Sequence, residues 1–153
     1  MVLDKNDRIR KGNYMRRLII STIMCLFAAT SFAADPVNTR VKETVTTKSG
    51  MQYTSLREGS GAAPGPADTV RVNYRGTLLN GREFDSSYKS GRPAEFQLNK
   101  VIKCWTEGLQ MMKVGGKAEL VCPSKLAYGD DGISGSVPRF ATLIFEVELL
   151  DIK

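Results

Sequence analysis

Two stretches of strict alternation set the frame into which this chain can fold. Val70, Val72, Tyr74, Gly76 and Leu78 interleave with Arg71, Asn73, Arg75 and Thr77. Near the C-terminus Ala141, Leu143, Phe145, Val147 and Leu149 point one way, while Thr142, Glu146 and Glu148 point the other. Successive side chains of a strand alternate between faces, so a period of two with one polar face marks a half-buried strand of an antiparallel sheet. Met51–Arg57 reads as a more modest strand, and Ala118, Leu120 and Cys122 repeat the alternation after Gly115-Gly116. Asn80-Gly81 is a type I′ hairpin signal, with Arg82–Phe84 returning.

The helical period occurs convincingly once, over about Lys103–Met112, where Ile102, Trp105, Leu109 and Met112 share one stripe. Several antiparallel strands with one amphipathic helix predict an α+β domain whose helix covers the apolar face of a twisted sheet.

The N-terminal segment has a different character. Arg16 and Arg17 precede an apolar stretch, Leu18 to Phe27, followed by small residues. A charged start, a short apolar core and Ser31 and Ala33 at positions −3 and −1 describe an export signal over residues 1–33, cleaved between Ala33 and Ala34, with an uncleaved anchor as the alternative. The apolar core is roughly half the ~20 residues a spanning helix needs, so the membrane enters only through this signal. Met15 is a more typical initiator than Met1. Residues 34–50 form a short polar extension with a weak extended stretch near Val41–Thr47, and residues 51–153 form the domain. Gly59 to Pro66 is a turn-rich loop.

The net charge of +6 follows the same division. Residues 1–33 carry six basic and two acidic residues, leaving the rest of the chain at +2. A nucleic-acid partner is therefore not indicated. Histidine is absent, which removes imidazole-based catalysis and His-ligated metal sites. The three cysteines form no C-x-x-C pair, which argues against a thiolate zinc site or a thiol-redox enzyme. No phosphate-binding loop or nucleophile elbow occurs. What remains is an apolar set with a few polar groups, suited to binding rather than to covalent catalysis, and calling for no cofactor.

Five blocks occur in one order: Val72-Asn-Tyr-Arg-Gly-Thr77, Gly81-Arg-Glu-Phe-Asp-Ser-Ser87, Val101-Ile-Lys-Cys-Trp-Thr-Glu-Gly108, Leu126-Ala-Tyr-Gly129 and the run from Ala141 to Leu150. Together they resemble the FKBP-type peptidyl-prolyl cis-trans isomerases, in particular the secreted bacterial Mip-like and FkpA-like branch. The resemblance covers about residues 45–153. It implies a sheet of about five strands wrapped around one short helix, and isomerisation of Xaa-Pro bonds during the folding of exported, periplasmic or secreted proteins. The implied partners are proline-containing unfolded or partly folded polypeptides, with macrolides as inhibitors. A non-catalytic proline-binding module or holdase chaperone is the alternative.

By the same resemblance the proline ring rests on Trp105, with Tyr74, Phe84, Val101, Ile102, Val137 and Phe145 as walls. Tyr128 donates its hydroxyl to a substrate carbonyl, the Ile102 N–H holds another, and Asp85, oriented by Tyr74, places a carboxylate beside the twisting amide. Each residue also has a plainer reading: Trp105 as core, Asp85 as the cap of a turn, Tyr128 as a packed loop aromatic. Ala94 stands where many relatives carry a pocket-edge aromatic. Ser136 and the pair Arg139-Phe140 also depart from the usual pattern. Mip-like relatives often carry a helical dimerisation region ahead of this domain, for which residues 34–50 are too short, so a monomer is expected. Cys104 and Cys122 either close one disulfide or remain two buried thiols.

Overall fold

The computed structural model describes residues 42–153. The export signal and its cleavage point lie outside the described residues. Seven strands form one antiparallel sheet: β1 (Thr44–Thr46), β2 (Gln52–Arg57), β3 (Thr69–Leu78), β4 (Glu83–Ser86), β5 (Ala94–Gln97), β6 (Lys117–Cys122) and β7 (Leu143–Ile152). Among the described residues two α-helices accompany them: the single turn α1 (Ser87–Ser90) and the longer α2 (Lys103–Gln110).

The long strands follow the alternation in the sequence. Val70, Val72, Tyr74 and Leu78 of β3, Ala118, Leu120 and Cys122 of β6, and Leu143, Phe145, Val147 and Leu149 of β7 are all buried. The register aligns them in rows, with Phe145 opposite both Leu120 and Gly76, and Val147 opposite both Ala118 and Tyr74. One face of the sheet is thus continuous apolar surface, and α2 covers it with Trp105 and Leu109, joined by Met112 just past the helix. Gly76 permits this packing. A Cβ built there would stand 2.7 Å from the Phe84 ring and 2.9 Å from the Phe145 ring.

The sheet departs from the expected five strands in two places. β1 is a three-residue strand on the edge of β2. β4 and β5 pair with the same edge of β3, β4 with Arg75 to Thr77 and β5 with Thr69 to Val72. The helical turn α1 lies between them, so one edge strand is split in two. Strands of three or four residues are too short to show a period, which is why the count from sequence fell short.

The β3–β4 hairpin also differs from the type I′ expectation, which needs positive φ at two successive residues. Here Gly81 has φ 81°, while Leu79 and Asn80 remain in the negative region. The Gly81 N–H donates to the Leu78 carbonyl and the Leu78 N–H to the Arg82 carbonyl, both at 2.9 Å. This is the three-residue loop in which a type I turn is followed by a left-handed glycine. Asn80 serves it differently, its side-chain carbonyl accepting the Arg82 N–H at 3.0 Å.

Candidate active site

A cavity of about 280 Å³ opens between α2, the split edge of the sheet and the loop after β6. Its floor is Trp105, only 4% exposed. Three rings meet the indole edge-to-face: Tyr74 from β3 at 5.1 Å, Phe96 from β5 at 5.3 Å and Phe145 from β7 at 5.4 Å between centroids. Such pairs contribute roughly 0.5–1.5 kcal/mol each beyond the area they bury. Two sheet strands and the split edge therefore hold the indole from three sides.

The rim carries the polar groups. The Tyr74 hydroxyl donates to Asp85 Oδ2 at 2.7 Å, and the Ser86 N–H donates to Asp85 Oδ1 at 2.9 Å. Both carboxylate oxygens are thus fixed in direction. The cap of α1 is Ser86 and not Asp85: the Ser86 hydroxyl accepts from the Tyr88 N–H at 3.1 Å. Asp85 is left free of a capping role and aimed along the cavity wall. Burial first, then the hydrogen bond and charge of Asp85, push the Tyr74 hydroxyl well above the ordinary tyrosine range.

Tyr128 stands across the opening. It follows a short 3-10 turn, Ser124–Leu126, and is held by bonds from the Gly129 N–H to the Ser124 carbonyl at 2.8 Å and from the Gly132 N–H to its own carbonyl at 3.1 Å. Among the described residues its hydroxyl has no hydrogen-bond partner. Burial, then the charge of Asp85, raises its pKa above the ordinary value, so it is a neutral donor at physiological pH. Ile102 precedes α2, and no group among the described residues accepts its N–H. The indole N–H of Trp105 is likewise buried without a partner.

Seven of the nine residues expected at the site line this one cavity: Tyr74, Asp85, Val101, Ile102, Trp105, Tyr128 and Phe145. Phe84 and Val137 do not. Phe84 stands behind the wall, its ring edge-to-face with Phe145 at 5.6 Å. Val137 is buried and lines a separate, more open hollow with Arg82 and Pro138. Phe96 and Lys100 line the cavity although the sequence reading did not name them. Phe96 lies two residues past Ala94, on the same face of β5, and so supplies an aromatic group close to where Ala94 lacks one. Arg139 and Phe140 lie at the end of the loop that begins at Tyr128. Phe140 takes φ 57° and is 60% exposed, with the Arg139 guanidinium 5.6 Å above its ring.

The site is an apolar cup with a carboxylate and a hydroxyl at its rim, and no cluster of metal-binding side chains occurs among the described residues. The family model for FKBP-type peptidyl-prolyl cis-trans isomerases matches residues 61–150. The chain belongs to the FKBP-type peptidyl-prolyl cis-trans isomerase family. FkpA of Escherichia coli K12 is 52% identical over 108 residues, which is 71% of this chain and 40% of FkpA. A probable FKBP-type isomerase of Haemophilus influenzae is 40% identical over 95% of this chain and 66% of its own length. The outer membrane protein MIP of Legionella longbeachae is 47% identical over 69% of this chain and 45% of MIP. The crystal structure of Escherichia coli FkpA superposes with a TM-score of 0.70 at 51% identity, covering 72% of this chain and 51% of FkpA. This FKBP-type chain therefore spans about two fifths to two thirds of the curated relatives it matches.

Proposed function

We propose that the chain catalyses cis–trans isomerisation of Xaa-Pro bonds in polypeptides that fold after export. The reading rests on one observation above others: an indole floor walled by three aromatic rings, with Asp85 and Tyr128 at the rim. An Xaa-Pro amide resists rotation with a barrier near ~20 kcal/mol because planarity preserves its resonance. Rotation removes that resonance and leaves a less polar amide. A dry cup accepts the rotated form more readily than the planar, better hydrated one.

The proline ring lies on Trp105. The Tyr128 hydroxyl and the Ile102 N–H hold the flanking carbonyls, and the Asp85 carboxylate, fixed by Tyr74, faces the rotating bond. No bond is made or broken and no proton is transferred. Each tenfold in rate requires about 1.4 kcal/mol of extra transition-state stabilisation, so desolvation and two or three hydrogen bonds match the scale required. Proline-containing unfolded chains are the substrates, and macrolides that present a proline-like ring compete for the cup. The basic, apolar start of the sequence supports an exported protein.

A refolding or protease-coupled assay with a proline-containing substrate tests the reading. Acceleration at sub-micromolar protein is expected, and none at micromolar protein rejects it. Suppression of aggregation without acceleration would instead make the chain a holdase using the same cup.

A further inference from the structure

Cys104 and Cys122 form a disulfide, with 5.8 Å between their Cα atoms. Both cysteines are fully buried. Cys104 lies in the first turn of α2, immediately before Trp105 and two residues after Ile102. Cys122 ends β6, and the compact turn that follows leads directly to Tyr128. In that turn the Leu126 N–H donates to the Pro123 carbonyl at 2.9 Å and the Gly129 N–H to the Ser124 carbonyl at 2.8 Å. The covalent link therefore joins the element bearing the floor of the cup to the element bearing the donor opposite it.

The first turn of α2 is tied to the turn before it by the Thr106 hydroxyl, which donates to the Leu98 carbonyl at 2.6 Å. Its N-cap is Ile102, which provides no side-chain hydrogen bond to the first turn. An uncapped first turn leaves backbone N–H groups unpaired and frays more readily than a capped one. Here fraying would move the Ile102 N–H and the Trp105 ring together, because the bonds that define the turn run from Trp105 N–H and Thr106 N–H to the Ile102 carbonyl, at 3.0 and 3.2 Å. We propose that Cys104 and Cys122 are positioning residues for the isomerase: their disulfide tethers the uncapped start of α2 to β6 and fixes Trp105 and Ile102 relative to Tyr128. The inference rests on the isomerase reading above, and it assigns the crosslink a role in the geometry of the site as well as in stability. Small displacements of groups aligned for a transition state cost far more in rate than in folding.

The test compares the full chain with its Cys104→Ala/Cys122→Ala double variant, at a temperature where circular dichroism shows both fully folded. Leu149→Ala, a core truncation at the other end of β7 with the disulfide intact, provides a control of reduced melting temperature. The chain has a single tryptophan, so acrylamide quenching of fluorescence reports on Trp105 alone. The expected result is a loss of at least fivefold in kcat/KM and a clear rise in the quenching constant for the double variant, with Leu149→Ala unchanged in both. Unchanged kcat/KM and unchanged quenching in the folded double variant would overturn the proposal, as would an equal loss in Leu149→Ala. If the double variant does not fold, wild-type chain refolded and held in a phosphine reductant replaces it. Failure of both to fold also overturns the proposal, because the link would then be a requirement of folding rather than of positioning. Absence of activity in the wild-type chain would refute the isomerase reading separately, and the quenching comparison would still decide the positioning role.

Discussion

The Tyr74 hydroxyl reaches Asp85 Oδ2 at 2.7 Å across the junction of β3 and β4, and Asp85 is the carboxylate at the rim of the cup. Tyr74 is thereby both a wall of the cavity and the group that aims its one acidic side chain. Removing the hydroxyl with Tyr74→Phe is expected to lower kcat/KM about tenfold, equivalent to about 1.4 kcal/mol, with little change in KM. Asp85→Leu should give at least the same loss. Steady-state kinetics with a tetrapeptide substrate, alongside thermal unfolding, separates these effects from instability. Wild-type rates in both folded variants would remove Asp85 from the site.

Tyr128 gives a pH signature. Its hydroxyl and that of Tyr74 are raised above the ordinary tyrosine value of about 10, chiefly by burial. A raised folded value means that the native state holds these protons more tightly than the unfolded chain. The contribution to stability is present in full below about pH 10 and is lost as pH rises through the folded values. With no histidine in the chain, kcat/KM is expected to be flat from about pH 6 to 9, and stability to fall above pH 10. Tyr128→Phe should lower kcat/KM several-fold at neutral pH. A titration of rate near pH 6.5 would contradict the assignment.

Phe96 contacts both Trp105 and Tyr74, at 5.3 and 5.8 Å between centroids. Phe96→Ala is expected to raise KM more than it lowers kcat, since the ring shapes the cup without touching the rotating bond. Its stability cost should be about 2 kcal/mol, less than the ~3–5 kcal/mol of a fully buried phenylalanine. Denaturant unfolding and kinetics on the same preparation check both quantities.

Gly76→Ala introduces a methyl group where Phe84 and Phe145 already meet the backbone. Overpacking of this kind costs about 1–3 kcal/mol. The variant is expected to melt several degrees lower and to bind proline peptides more weakly, because Phe145 is also a wall of the cup. Unchanged melting would mean that the two rings have room to retreat.

The sheet's long strands and α2 were legible because their burial follows a simple period over many residues, as in Val70 to Leu78 and Leu143 to Leu149. Most of the residues that line the cavity were named from the order of five short blocks rather than from any one residue. The short pieces were less legible: β1 forms within the weak extended stretch near Val41–Thr47 and β4 at the return after Gly81, but β5 and the split edge went unread. β1 and β5 carry no usable period, and the Asn80-Gly81 pair forms a different turn from the one its composition suggests, because only Gly81 takes positive φ. Phe96 was passed over with its strand. Phe84 and Val137 were assigned to the walls; Phe84 instead backs the wall residue Phe145, and Val137 lines the neighbouring hollow. The cysteine pair was undecided because whether two buried sulfurs meet depends on how α2 sits on β6.

The split edge of β3 has a practical consequence. Between β4 and β5 the backbone leaves the ladder for residues 87–93, most of them exposed. Residues grafted past Ser87 spare the one buried member of the excursion, whose hydroxyl accepts the Tyr74 N–H at 2.9 Å. A fluorophore or affinity handle placed at Lys89 to Arg92 would stand between Asp85 and Phe96 in the chain, two residues that line the cup, while the frame that holds the indole stays as it is.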